Sequence, residues 1–182
     1  MENNNKIETI YLAGGCFWCL EAVFLRVRGV LSSVSGYAGG DKENPTYEEV
    51  SGGTTGHAET TKIEFDPAQI SYEDLLSIFF YIIDPTSVNR QGNDAGTQYR
   101  SVIFYENEAQ KKIAAAFINK LSQEKVYKKP IATEILPLNK FYQAEDYHQR
   151  YFEKNPDKAY CQMVVAPKVE KFKAAFKKFY QE

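Results

Sequence analysis

The stretch Gly14-Gly15-Cys16-Phe17-Trp18-Cys19 constrains this chain more than any other, because a short apolar strand ending at Ala13 must give way there to a helical pattern. Two glycines permit a sharp turn and close backbone approach, so Cys16 is expected at or near a helix N-terminus. Unpaired backbone N–H groups and the positive end of the helix dipole favour thiolate over thiol there, lowering the pKa and giving a nucleophile at neutral pH. Phe17 and Trp18 add apolar walls beside it. The Cys-x-x-Cys spacing also fits half of a zinc site or a thioredoxin-like redox pair. Cys161 has no second cysteine near it, which weighs against zinc, and a redox pair leaves the motifs downstream without a role.

The chain of 182 residues is read as one domain, 1–182, long enough to bury a sizeable core. Its 13 Tyr and 12 Phe suggest aromatic-lined surfaces as well as an aromatic core. A net charge of -2 gives no reason to expect nucleic acid. The start Met1-Glu2-Asn3-Asn4-Asn5 is polar and shows no signal pattern, and the apolar run Leu75 to Ile83 is too short to cross a bilayer. Three cysteines, an odd number, point to a reducing compartment, hence the cytoplasm, and to reactive rather than structural sulfur.

Ile7 to Ala13 reads as a first strand and Cys16 to Val27 as a helix, with Phe17, Leu20, Phe24 and Val27 as its buried stripe and Glu21, Arg26 and Arg28 facing outward. Gly29 stops it, and Val30 to Gly36 has strand character. Gly36 to Gly56 is rich in turn-forming residues and is expected to be a long, functional loop. Ala58 to Asp66 is the next strand; its alternation puts Glu59 on one face with Thr61, Ile63 and Phe65. A carboxyl group on that apolar side is desolvated and becomes a proton donor near neutrality, unless it lies at a strand end that reaches water.

Ser71-x-x-Asp74 resembles a helix start, and Leu75 to Ile83 continues as a buried helix ending before Asp84-Pro85. Thr86 to Gly96 is a polar loop, Tyr99 to Tyr105 a strand, and Asn107 begins a helix that buries Ile113, Phe117 and Leu121. Ile131 to Leu136 is read as a strand, Glu145 to Phe152 as a helix carrying His148, and Cys161 to Val165 as a short extended segment. Pro167 starts a last helix with Val169, Phe172, Phe176 and Phe179 on one side. Strand, helix, strand, strand, helix, strand is the split βαβ order. The expected class is therefore α+β: a two-layer, ferredoxin-like core with an antiparallel or mixed sheet, helices packed on it and extra C-terminal elements.

Gly14-Gly15-Cys16-Phe17-Trp18, Gly36-Tyr37-Ala38-Gly39-Gly40, Asn44-Pro45-Thr46-Tyr47, Thr55-Gly56-His57-Ala58-Glu59, Gly96-Thr97-Gln98-Tyr99-Arg100 and Ala144-Glu145-Asp146-Tyr147-His148-Gln149 follow one another in a single order. With them the sequence closely resembles the peptide methionine sulfoxide reductase A family, from about Ile10 to Val165. The resemblance implies reduction of the S epimer of methionine sulfoxide, free or in proteins. It implies Cys16 as the nucleophile that attacks the sulfoxide sulfur, and Glu59 as the acid that protonates its oxygen, with Tyr47 and Tyr99 as hydrogen-bonding neighbours. Phe17 and Trp18 are then the pocket for the S-methyl group, and Asp94 supports the site. A sulfenic acid on Cys16 and then a disulfide follow, recycled by thioredoxin or another dithiol, with no metal and no further cofactor.

The sequence departs from the common family pattern at three places. Cys19 stands where many members have Gly; a Gly-rich tail carrying recycling cysteines is not part of this sequence; and Asp94-Ala95-Gly96 replaces the usual Asp-Arg-Gly. Cys161, in a Tyr-Cys-x-x-Val setting like the recycling position of some bacterial members, is the expected resolving thiol, with Cys19 as competitor. His57 and His148 are read as hydrogen-bonded structural histidines, since neither has matching ligand spacing. Expected partners are oxidised methionine and thioredoxin, with no nucleic acid and no membrane, and the chain is expected to be a monomer. A disulfide exchanger built on Cys16 and Cys19, or a non-catalytic zinc or peptide-binding module, would be alternative classes.

Overall fold

In the computed structural model, which describes residues 6–182, the centre is a six-stranded mixed sheet. The polar start Met1 to Asn5 lies outside the described residues. Strand β1 (Glu8–Ala13) pairs antiparallel with β3 (Ala58–Phe65) on one side and with β6 (Val102–Tyr105) on the other. Strand β2 (Val30–Ala38) is antiparallel to β3, while β7 (Glu134–Pro137) runs parallel to β6 and β8 (Phe141–Gln143) antiparallel to β2. The order is therefore β7-β6-β1-β3-β2-β8, with a separate two-stranded hairpin, β4 (Arg90–Gln91) and β5 (Asp94–Ala95).

The main core lies between one face of this sheet and the helices α1 (Phe17–Phe24), α3 (Tyr72–Ile82) and α6 (Ala166–Ala175). Leu12, Ile63 and Phe65 from the strands meet Phe17, Leu20, Phe24, Leu75, Phe79 and Phe172 from the helices, all fully buried. Each such side chain contributes roughly 1.5–3 kcal/mol on transfer from water. The opposite face carries a smaller cluster of Tyr11, Ala13, Ala38, Ala58, Val102 and Phe104, covered by Leu136, Leu138 and Phe141. The class is α+β, as read from the pattern.

Several local expectations need correction. The Gly36–Gly56 segment is not structureless: β2 runs on to Ala38, and a short helix, α2 (Tyr47–Ser51), starts on a Thr46–Glu49 capping box. Tyr99 does not open a strand; it ends a 3-10 turn (Thr97–Tyr99), and β6 begins at Val102. The segment from Glu145 to Phe152 is not one helix, because Arg150 takes a left-handed conformation (φ 54) between a 3-10 turn (Asp146–His148) and α5 (Tyr151–Lys154). Cys161 to Val165 is a π-helical turn leading into α6, not an extended segment. Glu21, expected to face water, is buried, since α1 is enclosed on nearly every side and Arg150 supplies a backbone N–H to its carboxylate. The other long helix, α4 (Glu108–Gln123), packs beside α3 through Phe80 and Phe117. Among the described residues no helix is long and apolar enough to cross a membrane.

Candidate active site

Cys16 is the N-cap residue of α1, in extended conformation (φ -66, ψ 126), with Phe17 as the first helical residue. Gly15 makes the approach possible: at φ +80 it holds a conformation an L side chain resists, and a Cβ there would lie 2.8 Å from Gln91 Cβ. Its N–H donates to Tyr99 O at 3.1 Å, tying the turn before the helix to the turn that presents Tyr99. Cys16 is 6 % exposed, and that remnant opens onto a cavity of about 220 Å³.

The cavity is lined by Cys16, Phe17, Trp18, Tyr47, Glu59, Asp94, Tyr99 and Tyr160. Every residue expected at the site, apart from Cys161 and its competitor Cys19, is therefore in one wall. Glu59 lies at the site end of β3, opposite Tyr37 of β2, and is buried as its side of the alternation requires. Its Oε2 accepts the Phe17 backbone N–H at 3.0 Å, so the carboxyl group caps the helix that carries Cys16. Burial pushes the Glu59 carboxyl up to about 8; the Phe17 N–H pulls the other way, and nearby Asp94 and Cys19 add to the rise. Near neutrality it keeps its proton.

Burial also governs the sulfur. The helix N-terminus expected to lower the Cys16 pKa is present, but desolvation outweighs it, and the thiol is held well above its usual range, with Cys19 and Glu59 adding in the same direction. Cys19 sits one helical turn along and adds to the rise of the Cys16 thiol, and Tyr160 lines the cavity beside them. Cys161 is buried on the turn just before α6; burial raises it first, and Cys19 second. All three cysteines are free thiols.

Aromatic rings build the rest. Tyr47 is set by the Thr46 capping box and by its own N–H donating to Glu145 Oε2 (3.1 Å), and its ring stacks on Phe17 at 6.5 Å between centroids. Burial raises the Tyr47 and Tyr99 hydroxyls above their ordinary value, so both stay neutral donors. The Trp18 indole N–H donates to His148 Nδ1 at 3.0 Å, and its face stacks on Tyr151 at 3.7 Å. His57 accepts the Gly40 N–H on Nδ1 and donates to Lys42 O, so both histidines are hydrogen-bonded to the frame. Among the described residues no group of three or more His, Cys, Asp or Glu side chains is placed to hold a metal ion.

Tyr160 was not anticipated as a lining residue. Its hydroxyl donates to Asp94 Oδ2 at 2.6 Å, joining the β5 hairpin to the turn that carries Cys161. The signal for it was its place directly before Cys161 in the Tyr-Cys-x-x-Val stretch.

A sequence model of the family described as peptide methionine sulfoxide reductase matches residues 8–180. The chain belongs to the peptide methionine sulfoxide reductase family. As a member it is an oxidoreductase, and similar proteins are found across bacteria and archaea. A peptide methionine sulfoxide reductase MsrA of Polynucleobacter asymbioticus is 53% identical over 97% of this chain and 93% of its own, and one from Thermus thermophilus is 54% identical over 93% and 96%. Among solved structures, reduced Mxr1 from Saccharomyces cerevisiae is 37% identical, with a TM-score of 0.78, covering 88% of this chain and 92% of its own. Methionine sulfoxide reductase A of Corynebacterium diphtheriae reaches a TM-score of 0.73 at 38% identity, over 86% and 78%. Mxr1 has also been solved in complex with Trx2, and matches this family member in that form at a TM-score of 0.56 and 26% identity, over 83% and 88%.

Proposed function

We propose that this enzyme reduces methionine-S-sulfoxide, free or in proteins, to methionine, with Cys16 as nucleophile and Glu59 as acid. The observation that carries the reading is the convergence of a buried, proton-holding carboxyl group and a helix-capping cysteine on one aromatic-walled cavity. A sulfoxide oxygen is a weak base and a poor leaving group, so breaking the S–O bond requires a proton on that oxygen as sulfur attacks. Glu59 gives it, with Tyr47 and Tyr99 as neutral donors to the same oxygen; a positioned acid of this kind is worth about 10²–10⁴-fold. The Cys16 sulfur bonds to the substrate sulfur as the thiol loses its proton, which returns to Glu59. Glu59 passes that second proton on, so the oxygen leaves the substrate sulfur as water. Water then attacks the Cys16 sulfur, returning a proton to Glu59 and breaking the S–S bond with its electron pair going to methionine. Cys16 is left as a sulfenic acid, two electrons lost where the substrate sulfur gained two.

Phe17 and Trp18 hold the S-methyl group, and Asp94 supports the site through Tyr160. Cys161 then condenses with the sulfenic acid, releasing water and forming a disulfide that an external dithiol, thioredoxin, reduces; the complex of the relative Mxr1 with Trx2 supports that partner. Cys19 competes for the resolving role, because it lies one helical turn from Cys16. No metal or organic cofactor enters these steps. We further propose one catalytic domain working as a cytoplasmic monomer, with its four central strands in the ferredoxin-like, split βαβ plan, a reading supported by their order β6-β1-β3-β2.

The test is incubation of a racemic methionine sulfoxide with dithiothreitol and the protein, with the two epimers resolved by chromatography. Loss of the S epimer alone, abolished by Cys16→Ser, is expected; a disulfide exchanger would leave both epimers intact. Mass spectrometry of the oxidised enzyme decides the resolving thiol, Cys16 linked to Cys161 being expected and a Cys16–Cys19 bridge as sole product contradicting it.

A further inference from the structure

Glu21 is a buried carboxylate that no step above uses, 1 % exposed and one helical turn beyond the cavity residues Phe17 and Trp18. Two guanidinium groups approach this region, those of Arg26 and Arg150, and both pair with Glu153. Glu21 is held instead by backbone: its Oε1 accepts the Arg150 N–H at 3.0 Å, and the backbone N–H groups of Arg150 and Tyr151 partly oppose the rise that burial gives its carboxyl. Arg150 sits at φ 54, ψ 38, the left-handed region that a non-glycine residue occupies only when its surroundings require it. A buried hydrogen bond from the Arg150 N–H to the Glu21 carboxyl group is a sufficient reason.

The turn so fixed starts α5, and its first residue, Tyr151, lies flat on Trp18, 3.7 Å between centroids and 6° from parallel. Two residues before Arg150, His148 receives the indole N–H of the same Trp18. Helix α1 therefore carries both the ring that lines the cavity and the carboxyl group that anchors the segment gripping that ring.

We propose that Glu21 is a positioning residue for substrate binding: its carboxylate locks the left-handed Arg150 turn, which presses Tyr151 onto Trp18 and fixes the apolar wall of the cavity. The inference rests on the reading of Trp18 as the wall that receives the S-methyl group. Truncating the anchor frees the ring without touching the reacting atoms, so it acts on binding of ground state and transition state alike, raising KM and sparing kcat.

Trp18 is the sole tryptophan, so its fluorescence reports the stack directly. Glu21→Ala is expected to raise KM for an N-acetylated methionine-S-sulfoxide amide on the order of tenfold, the scale of a lost apolar contact, with kcat within about twofold. The indole emission should shift to the red and quench more readily with acrylamide. Glu21→Gln keeps an acceptor oxygen for the Arg150 N–H but adds an amide group to the buried site, and should shift both readouts in the same direction by less. In the double variant with Tyr151→Ala, the KM rise should not exceed that of Tyr151→Ala alone. Unchanged emission and KM in a Glu21→Ala protein of native circular dichroism, or in Glu21→Gln should the alanine variant not fold, would overturn the proposal, as would additive effects in the double variant. Trp18→Leu separates the two readings. If it leaves KM unchanged, the wall itself is misassigned; if it raises KM while the Glu21 variants do not, only the anchor is.

Discussion

Glu59 keeps its proton near neutrality because burial raises its carboxyl from an ordinary 4.5 to about 8, while the Phe17 N–H only partly opposes the rise. The folded protein therefore binds a proton that the unfolded chain has released over that interval. The stabilisation is complete below pH 4.5 and is lost as pH rises through about 8. Glu21, raised by burial to about 7, contributes with the same sign. The thermal midpoint should accordingly fall between pH 5 and pH 8.5 at constant ionic strength. Glu59→Gln, which cannot ionise, should flatten part of that decline, and curves of wild type and variant that run parallel would show that the carboxyl is not the group responsible. This residue's position was legible from alternation along one strand. The opposing pull on Cys16 was not: a helix N-terminus is visible in a Gly-Gly-Cys turn, but the enclosure that desolvates the sulfur comes from Tyr47, Tyr99 and Tyr160, which are distant in sequence.

Among the elements, α2 and the Arg150 turn show how short pieces aim side chains. Helix α2 spans Tyr47–Ser51, too short to form by propensity, and it stands on the Thr46–Glu49 capping box and the Glu145 carboxylate. Thr46→Ala should cost about 1 kcal/mol and, by loosening Tyr47, lower kcat/KM more than the stability loss alone explains. Paired denaturant and kinetic measurements check this, and a variant less stable yet fully active would disconnect the cap from the site. The long elements were legible because Phe17, Leu20 and Phe24, or Leu75 and Phe79, repeat at helical spacing. The short ones were not, since Asp146–His148, Tyr151–Lys154 and Cys161–Val165 owe their shape to partners such as Glu21, Trp18 and Asp94 rather than to their own pattern.

The molecule as a whole is a mixed sheet whose strands β1 and β3 deliver, at one end, the Gly-Gly turn before Cys16 and the start of the Glu59 strand. The remaining elements close that end with aromatic rings, and the cavity so formed places acid and sulfur in a single wall. The most direct measurement is single-turnover reduction of methionine-S-sulfoxide across pH 6 to 10, with the Cys16 sulfenic acid trapped and weighed by mass spectrometry, in wild type and Glu59→Gln. Wild-type turnover should fall as pH rises through about 8. The variant should be slower by about 10²-fold or more and lose that limb, with the trapped adduct on Cys16 in both. A Glu59→Gln protein that turns over within about twofold of wild type, with the same pH limb, would contradict the assignment of Glu59 as the proton donor.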